Sequence, residues 1–142
     1  MEKITRAIIT SSPGIRHVIL MDRTGLLITS QSKFAMRDAD LDKIGAISGA
    51  LYQAGEEQGV FLDLGQLALQ VLHFENGVLF VISCGPGILC VTGDKNVQVG
   101  LITALMRRYA KPIGNILARL LEADEETVTA EFRGLFRDSQ VL

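Results

Sequence analysis

No apolar run in this sequence approaches the roughly 18 consecutive residues that a membrane-spanning helix needs. The opening segment MEKITRAIITSSPG likewise lacks the long apolar core of a secretory leader. Together these absences predict a cytoplasmic protein with no membrane span. Charge of one sign is scarce too: 14 basic residues nearly balance 16 acidic ones, the net charge is −2, and no basic patch stands out. That balance argues against nucleic acid as the main partner, since a phosphate backbone is held by clustered positive charge. Low-complexity segments and repeats of solenoid length are also missing.

Side chains with reactive chemistry are few. The two cysteines, Cys84 and Cys90, fall in the run SCGPGILC. They read as buried apolar thiols in neighbouring strands. A disulfide across the turn is the alternative, disfavoured in a reducing compartment. The two histidines, His17 and His73, lie in unrelated segments without metal-ligand spacing, so no metal site is expected. Each reads instead as a hydrogen-bonded packing residue. The chain has no G-x-S-x-G, no H-E-x-x-H and no C-x-x-C. Gly85-Pro86-Gly87 lacks the Lys-Ser/Thr of a phosphate loop and joins two apolar runs, so it reads as a hairpin turn. In TGDKN, Thr92 and Asp94 read as caps of the following helix. Arg107 and Arg108, on a kinked helix, read as solvated residues, with an anion or arginine-finger site as the alternative. The acidic run Glu122 to Glu126 reads as the start of a tail helix, where negative charge complements the helix dipole. The expectation is a protein that is not an enzyme and carries no cofactor.

What the sequence does contain is apolar patterning. At 142 residues, 48% hydrophobic and 21% charged, it has the size and composition of one globular domain. Residues 2–12 form a helical pattern with Ile4 and Ile8 one turn apart, stopped by Pro13 and Gly14. IRHVILM, 15–21, is an apolar run without alternation, as in a strand covered on both faces. The tight turn DRTG leads to LLITS, which completes a hairpin. Further strands are predicted at 66–74, 78–84 and 88–92, joined by turns at Glu75-Asn76-Gly77 and Gly85-Pro86-Gly87. A long amphipathic helix spans about 95–121, with Pro112 expected to kink it. The tail 122–142 carries a third helical pattern, with Val128, Phe132, Leu135 and Phe136 on one side. The chain thus divides into a domain, 1–121, and a C-terminal helical extension, 122–142.

The segment between these hairpins is the most informative. From about Asp40 to Gln58 the sequence reads as a helix, capped by Asp38 or Asp40 and ended by Gly59. It carries Gly45, Gly49 and Gly55, each disfavouring a helix by about 1 kcal/mol relative to alanine. At 100° per residue, Ile44, Ile47, Leu51 and Ala54 form one apolar stripe. Leu41, Gly45, Gly49 and Tyr52 form a second, with Ser48 and Gly55 between. Asp42, Lys43, Gln53 and Glu57 lie opposite. The first stripe is expected to face the chain's own sheet. The glycine stripe then marks a close helix–helix contact with a second copy; the alternative is tight packing of those glycines on the chain's own sheet.

The element order predicts an α+β fold: a five-stranded antiparallel sheet between a central helix on one face and the N- and C-terminal helices on the other, in profilin-like layers. The meander 66–92 leaves strand 66–74 at an edge without proline or lysine to blunt it. A second copy is expected to pair there, under the glycine-bearing helix.

Three runs, GIRHVILMDRTGLLITS, DADLDKIGAISGALYQAGEEQG and the meander with its helix, 66–121, resemble in their joint order the Roadblock/dynein-light-chain family, in particular its bacterial regulators of small GTPases. That resemblance implies homodimers built from the middle helices and third strands. The matching positions are Leu41, Ile44, Gly45, Ser48, Gly49 and Tyr52 on the helix, and Leu67, Leu69, Val71 and His73 on the strand. It further implies a small Ras-like GTPase as partner, whether activated or scaffolded, docked on the helix through Asp42, Lys43, Ala46, Ala50, Gln53 and Glu57. The alternative reading is a small-molecule sensor domain that binds a ligand between sheet and helix. The tail 122–142 is extra to the family pattern and is expected to fold back on the dimer.

Overall fold

A computed structural model describes residues 1–140 of the protein. The elements are α1 (Glu2–Thr10), β1 (Ile15–Asp22), β2 (Leu27–Ser32), α2 (Asp38–Phe61), β3 (Gln70–Phe74), β4 (Gly77–Cys84), β5 (Gly87–Asp94) and α3 (Val99–Gln140). The strands form one antiparallel sheet in the order β2-β1-β5-β4-β3. The two-residue turns Glu75-Asn76 and Gly85-Pro86 set the register of the meander, pairing Phe74 with Gly77 and Cys84 with Gly87. Apolar residues on alternating sides of β1, β4 and β5 divide the interior into two cores. Val18, Leu20, Val78, Phe80, Ile82, Leu89 and Val91 face α1 and α3 with Ile8, Ile102, Met106 and Ile113. Ile19, Met21, Val81, Ile88 and Cys90 face α2 with Leu41 and Tyr52. The expected α+β layers, with α2 alone on one face, are those of the structure.

The seat of α2 reverses the expected roles of its stripes. Leu41, Gly45, Ser48, Gly49 and Tyr52 are buried within the chain, whereas Ile47 and Leu51 are exposed. The reason is the turn between β1 and β2. Asp22 Oδ1 accepts hydrogen bonds from the N–H of Thr24 at 2.9 Å, the Thr24 hydroxyl at 2.6 Å and the N–H of Leu26 at 3.0 Å. This holds Gly25 at a φ of 90°, a conformation glycine adopts without strain. The backbones of Gly25 and Gly45 then meet directly. A Cβ on Gly25 would lie 2.7 Å from the Gly45 carbonyl, and one on Gly45 would collide with the Gly25 carbonyl oxygen. Gly49 rests on the same turn, its side-chain position 3.4 Å from Gly25 N and Cα. The glycine stripe therefore serves packing on the chain's own sheet. The expectation that Leu41, Gly45, Ser48, Gly49 and Tyr52 meet a second helix is corrected accordingly.

Other boundaries moved for local reasons. Arg37 occupies the N-cap of α2 with no side-chain cap, and Asp38 and Asp40 lie in its first turn. Gly59 does not end α2, which runs to Phe61; it is buried against the Gly65 carbonyl, which a Cβ there would approach to 2.6 Å. Thr92 and Asp94 belong to β5, and Asp94 forms an ion pair with Arg16 instead of capping a helix. The long helix starts at Val99 and continues past Leu121 as one element, with Pro112 inside it. Among the tail positions, the side chains of Val128 and Phe136 and the acidic residues 124–126 fall outside the described set, as do residues 141–142.

Replacing Gly45 with alanine forces a Cβ into the Gly25 backbone and is expected to lower stability by about 1–3 kcal/mol, the range for overpacking. Gly100→Ala, where nothing lies within 4 Å, should be neutral or stabilising, since alanine is favoured in helices by up to about 1 kcal/mol. Urea unfolding of both variants checks the contrast. Gly49→Leu, expected from the sequence to separate two copies while sparing each one, should instead lower the stability of the single chain, by about 1–3 kcal/mol.

Candidate interaction face

With its glycines turned inward, α2 presents two different flanks. Arg23 fixes the flank over the β1–β2 turn. Its guanidinium donates to Glu56 Oε1 at 2.9 Å, to Ser83 Oγ at 2.6 Å and to the Gly85 carbonyl at 3.3 Å. The other flank leans toward β3: Gln70 Nε2 donates to the Leu51 carbonyl at 3.0 Å, and the Tyr52 hydroxyl donates to the Leu67 carbonyl at 3.1 Å. Ile47 and Leu51, 61% and 41% exposed, lie on this second flank with Ala54, and half-buried Ile44 forms its lower border. Sequence reasoning assigned this stripe to the interior. The signal available was that both stripes of α2 are apolar, so whichever one packs inward leaves the other uncovered.

β3 lies beside that flank at the edge of the sheet, paired among the described residues only with β4. Its free side carries unpaired backbone groups, and Phe74 is exposed near its end. The expected strand contacts divide. Val71 and His73 are on β3, whereas Leu67 and Leu69 precede it, because regular pairing begins at Gln70. Leu67 packs into the core beneath α2, and Leu69 and Val71 pack against the core on the other face. Between the first half of α2 and the β3–β4 hairpin the sheet is left uncovered. A trough of about 600 Å³ opens there, lined by Ile44, Met36, Phe74, Leu79, His17 and Thr92 among others.

The groups named as GTPase-docking positions, Asp42, Lys43, Ala46, Ala50, Gln53 and Glu57, are all exposed along the outer surface of α2. Chemistry near this face is sparse. His17 Nδ1 is 2.9 Å from Ser32 Oγ, and burial followed by the neighbouring Arg16 charge lowers its pKa. It is thus the hydrogen-bonded packing residue that the sequence led us to expect; His73 is exposed on β3. Burial works against the charge of Asp22, yet the hydrogen bonds of its turn hold its pKa below the usual value. Cys84 and Cys90 are free buried thiols, each pushed up to about 12 by desolvation. Among the described residues no three His, Cys, Asp or Glu side chains are grouped so as to hold a metal ion. No described helix is long and apolar enough to cross a membrane.

This arrangement has known counterparts. The sequence matches the Roadblock/LC7 domain over residues 3–92, and the chain belongs to that family. An uncharacterized protein of Methanocaldococcus jannaschii is 31% identical over 105 residues, covering 74% of this chain and 90% of its own. Among solved structures, a Roadblock/LC7 domain from Streptomyces avermitilis superposes with a TM-score of 0.76 at 19% identity, over 83% of this chain and 98% of that one. The gliding protein MglB from Thermus thermophilus gives 0.71 at 17% identity, over 81% and 86%. An MglB structure with a tetrameric arrangement gives 0.72 at 18% identity, over 81% and 85%.

The thiol pKa values carry a direct consequence. At pH 8 both cysteines stay protonated and enclosed, so iodoacetamide should leave the native protein unmodified and label both residues in denaturant. Mass spectrometry of the two samples reads the difference.

Proposed function

We propose that two copies of this chain join through the Ile47–Leu51 flank of α2 and the free edge of β3, and that the dimer regulates or scaffolds a small Ras-like GTPase by docking, without catalysis of its own. The observation that carries this reading is the adjacency of two uncovered features. An apolar helix flank and an unpaired strand edge lie on the same side of the chain, where one isologous contact covers both. Ile44 remains at the border of that contact, and Val71 and His73 lie on the pairing strand. Leu41, Gly45, Ser48, Gly49 and Tyr52 act indirectly, by turning Ile47 and Leu51 outward. Membership of the Roadblock/LC7 family and the tetrameric MglB structure support self-association. The likeness to MglB, together with the family's tie to small GTPases, supports the choice of partner.

Of the docking positions, Asp42, Ala46, Gln53 and Glu57 lie on the side of α2 away from the β3 flank and stay free in such a dimer, whereas Lys43 and Ala50 border Ile47 and Ala54 at the rim of the contact. We read 122–142 as an extension to the Roadblock domain and the protein as cytoplasmic. The trough beside Ile44 gives some support to a second reading, a small-molecule sensor, because Thr92 lines it and among the described residues its buried hydroxyl has no hydrogen-bond partner. A small molecule retained in native mass spectra would favour that reading.

Leu51→Glu places a charge in the proposed contact while leaving the interior intact. It is expected to halve the mass of the native assembly with unchanged helical content. An unaltered mass would remove this dimer. Mixing the purified protein with Ras-like GTPases from the same genome should give a complex and a changed rate of nucleotide hydrolysis or exchange with at least one of them. If none binds, the GTPase reading fails while the dimer stands.

A further inference from the structure

The outer surface of α3, on the opposite side of the sheet from α2, plays no part in the proposed dimer. We propose that it is a second self-association surface, on which two copies of α3 lie antiparallel with Asn115 and Ala118 at the crossing point.

Alternating steps of three and four residues along α3 define one outward row. It passes through Leu101, Arg108, Lys111, Asn115, Ala118 and Glu122, all exposed. The order of chemistry along this row is the informative part. Along the row the basic Arg108 and Lys111 precede the small pair Asn115 and Ala118, and the acidic Glu122 follows; Arg119, also exposed, stands beside the row next to Ala118. Arg107 adds a third cation beside Arg108 and Lys111. Like charges three and four residues apart on a helix repel one another. Among the described residues none of Arg107, Arg108, Lys111 or Glu122 forms an ion pair. The two halves of the row cannot neutralise each other within one helix, because Lys111 and Glu122 stand about 16 Å apart along it at 1.5 Å per residue.

A second copy running the opposite way resolves this. With the two-fold axis level with the Ile116–Leu117 peptide, Asn115 faces the partner's Ala118 and Lys111 faces the partner's Glu122. In the same register Leu101, 55% exposed, comes level with the partner's Phe132, 59% exposed. Small residues stand where the helices approach closest, opposite charges on either side, and apolar side chains further out. The row is self-complementary only when antiparallel; a parallel partner would set cation against cation.

The length of α3 fits the same arrangement. Leu117 is its last buried side chain among the described residues. Beyond it the helix continues for about 35 Å at 1.5 Å per residue, past the sheet that supports its first half. The antiparallel partner would run alongside this part of the helix. A cleft of about 460 Å³ between the Gly85-Pro86 turn and Arg107, Lys111, Asn115 and Ala118 leaves room beside the crossing for the partner's side chains.

The test uses the full chain and its mass in sedimentation equilibrium at low salt. Lys111→Glu and Glu122→Lys are surface changes, and each should weaken association at least tenfold and halve the assembly. The double variant restores opposite charges across the axis and should recover the wild-type mass, which a merely structural role for either residue would not produce. The same steps run in the Leu51→Glu background separate this contact from that of α2: there the remaining pair should fall to monomers on adding Lys111→Glu. Single variants with wild-type mass, or a folded double variant that stays dissociated, would overturn the proposal.

Discussion

The contact between the backbones of Gly25 and Gly45 decides how this protein meets its surroundings. Neither residue has a side chain to hold the two segments apart, so α2 settles directly onto the β1–β2 turn. The turn is itself fixed from below, by an Asp22 carboxylate that accepts three hydrogen bonds. Once Gly45 is seated, the rotation of α2 about its axis has no freedom. Ser48, Gly49 and Tyr52 go inward, and Ile47 and Leu51 go outward. A missing side chain on one face thus determines which apolar residues stand uncovered on another.

Much of the architecture was legible in the sequence. Unbroken apolar runs marked β1, β4 and β5, and turn residues between them fixed the meander. The lack of proline and lysine in β3 correctly placed an unblunted edge. The rotation of α2 was not legible, and the reason is physical. A glycine stripe reports that some backbone comes close, but not whose. With apolar residues on both stripes, periodicity alone could not say which lay inside; the deciding partner was Gly25, twenty residues away and across a turn. The junction near residue 121 was obscured for a different reason. An acidic run opens a helix well but also sits comfortably within one, and nothing between Ile113 and Phe132 breaks α3. His17 and the two cysteines were read correctly as packing residues because they had no neighbours of the kind that chemistry requires.

Two unlike surfaces follow from the fold. The α2 and β3 side is apolar and offers backbone pairing, whereas the α3 side is charged and self-complementary. In the proposed assembly each joins copies by its own two-fold axis, one through burial of apolar surface and the other through salt-sensitive attraction. The exposed outer surface of α2 would then remain open to a different protein.

A crystal structure of the assembled protein tests the central claim most directly. The account predicts Gly45 against Gly25 within each chain, with Ile47 and Leu51 at the contact between chains. Gly45 and Gly49 packed against a neighbouring copy, with Ile47 and Leu51 beneath their own helix, would contradict it.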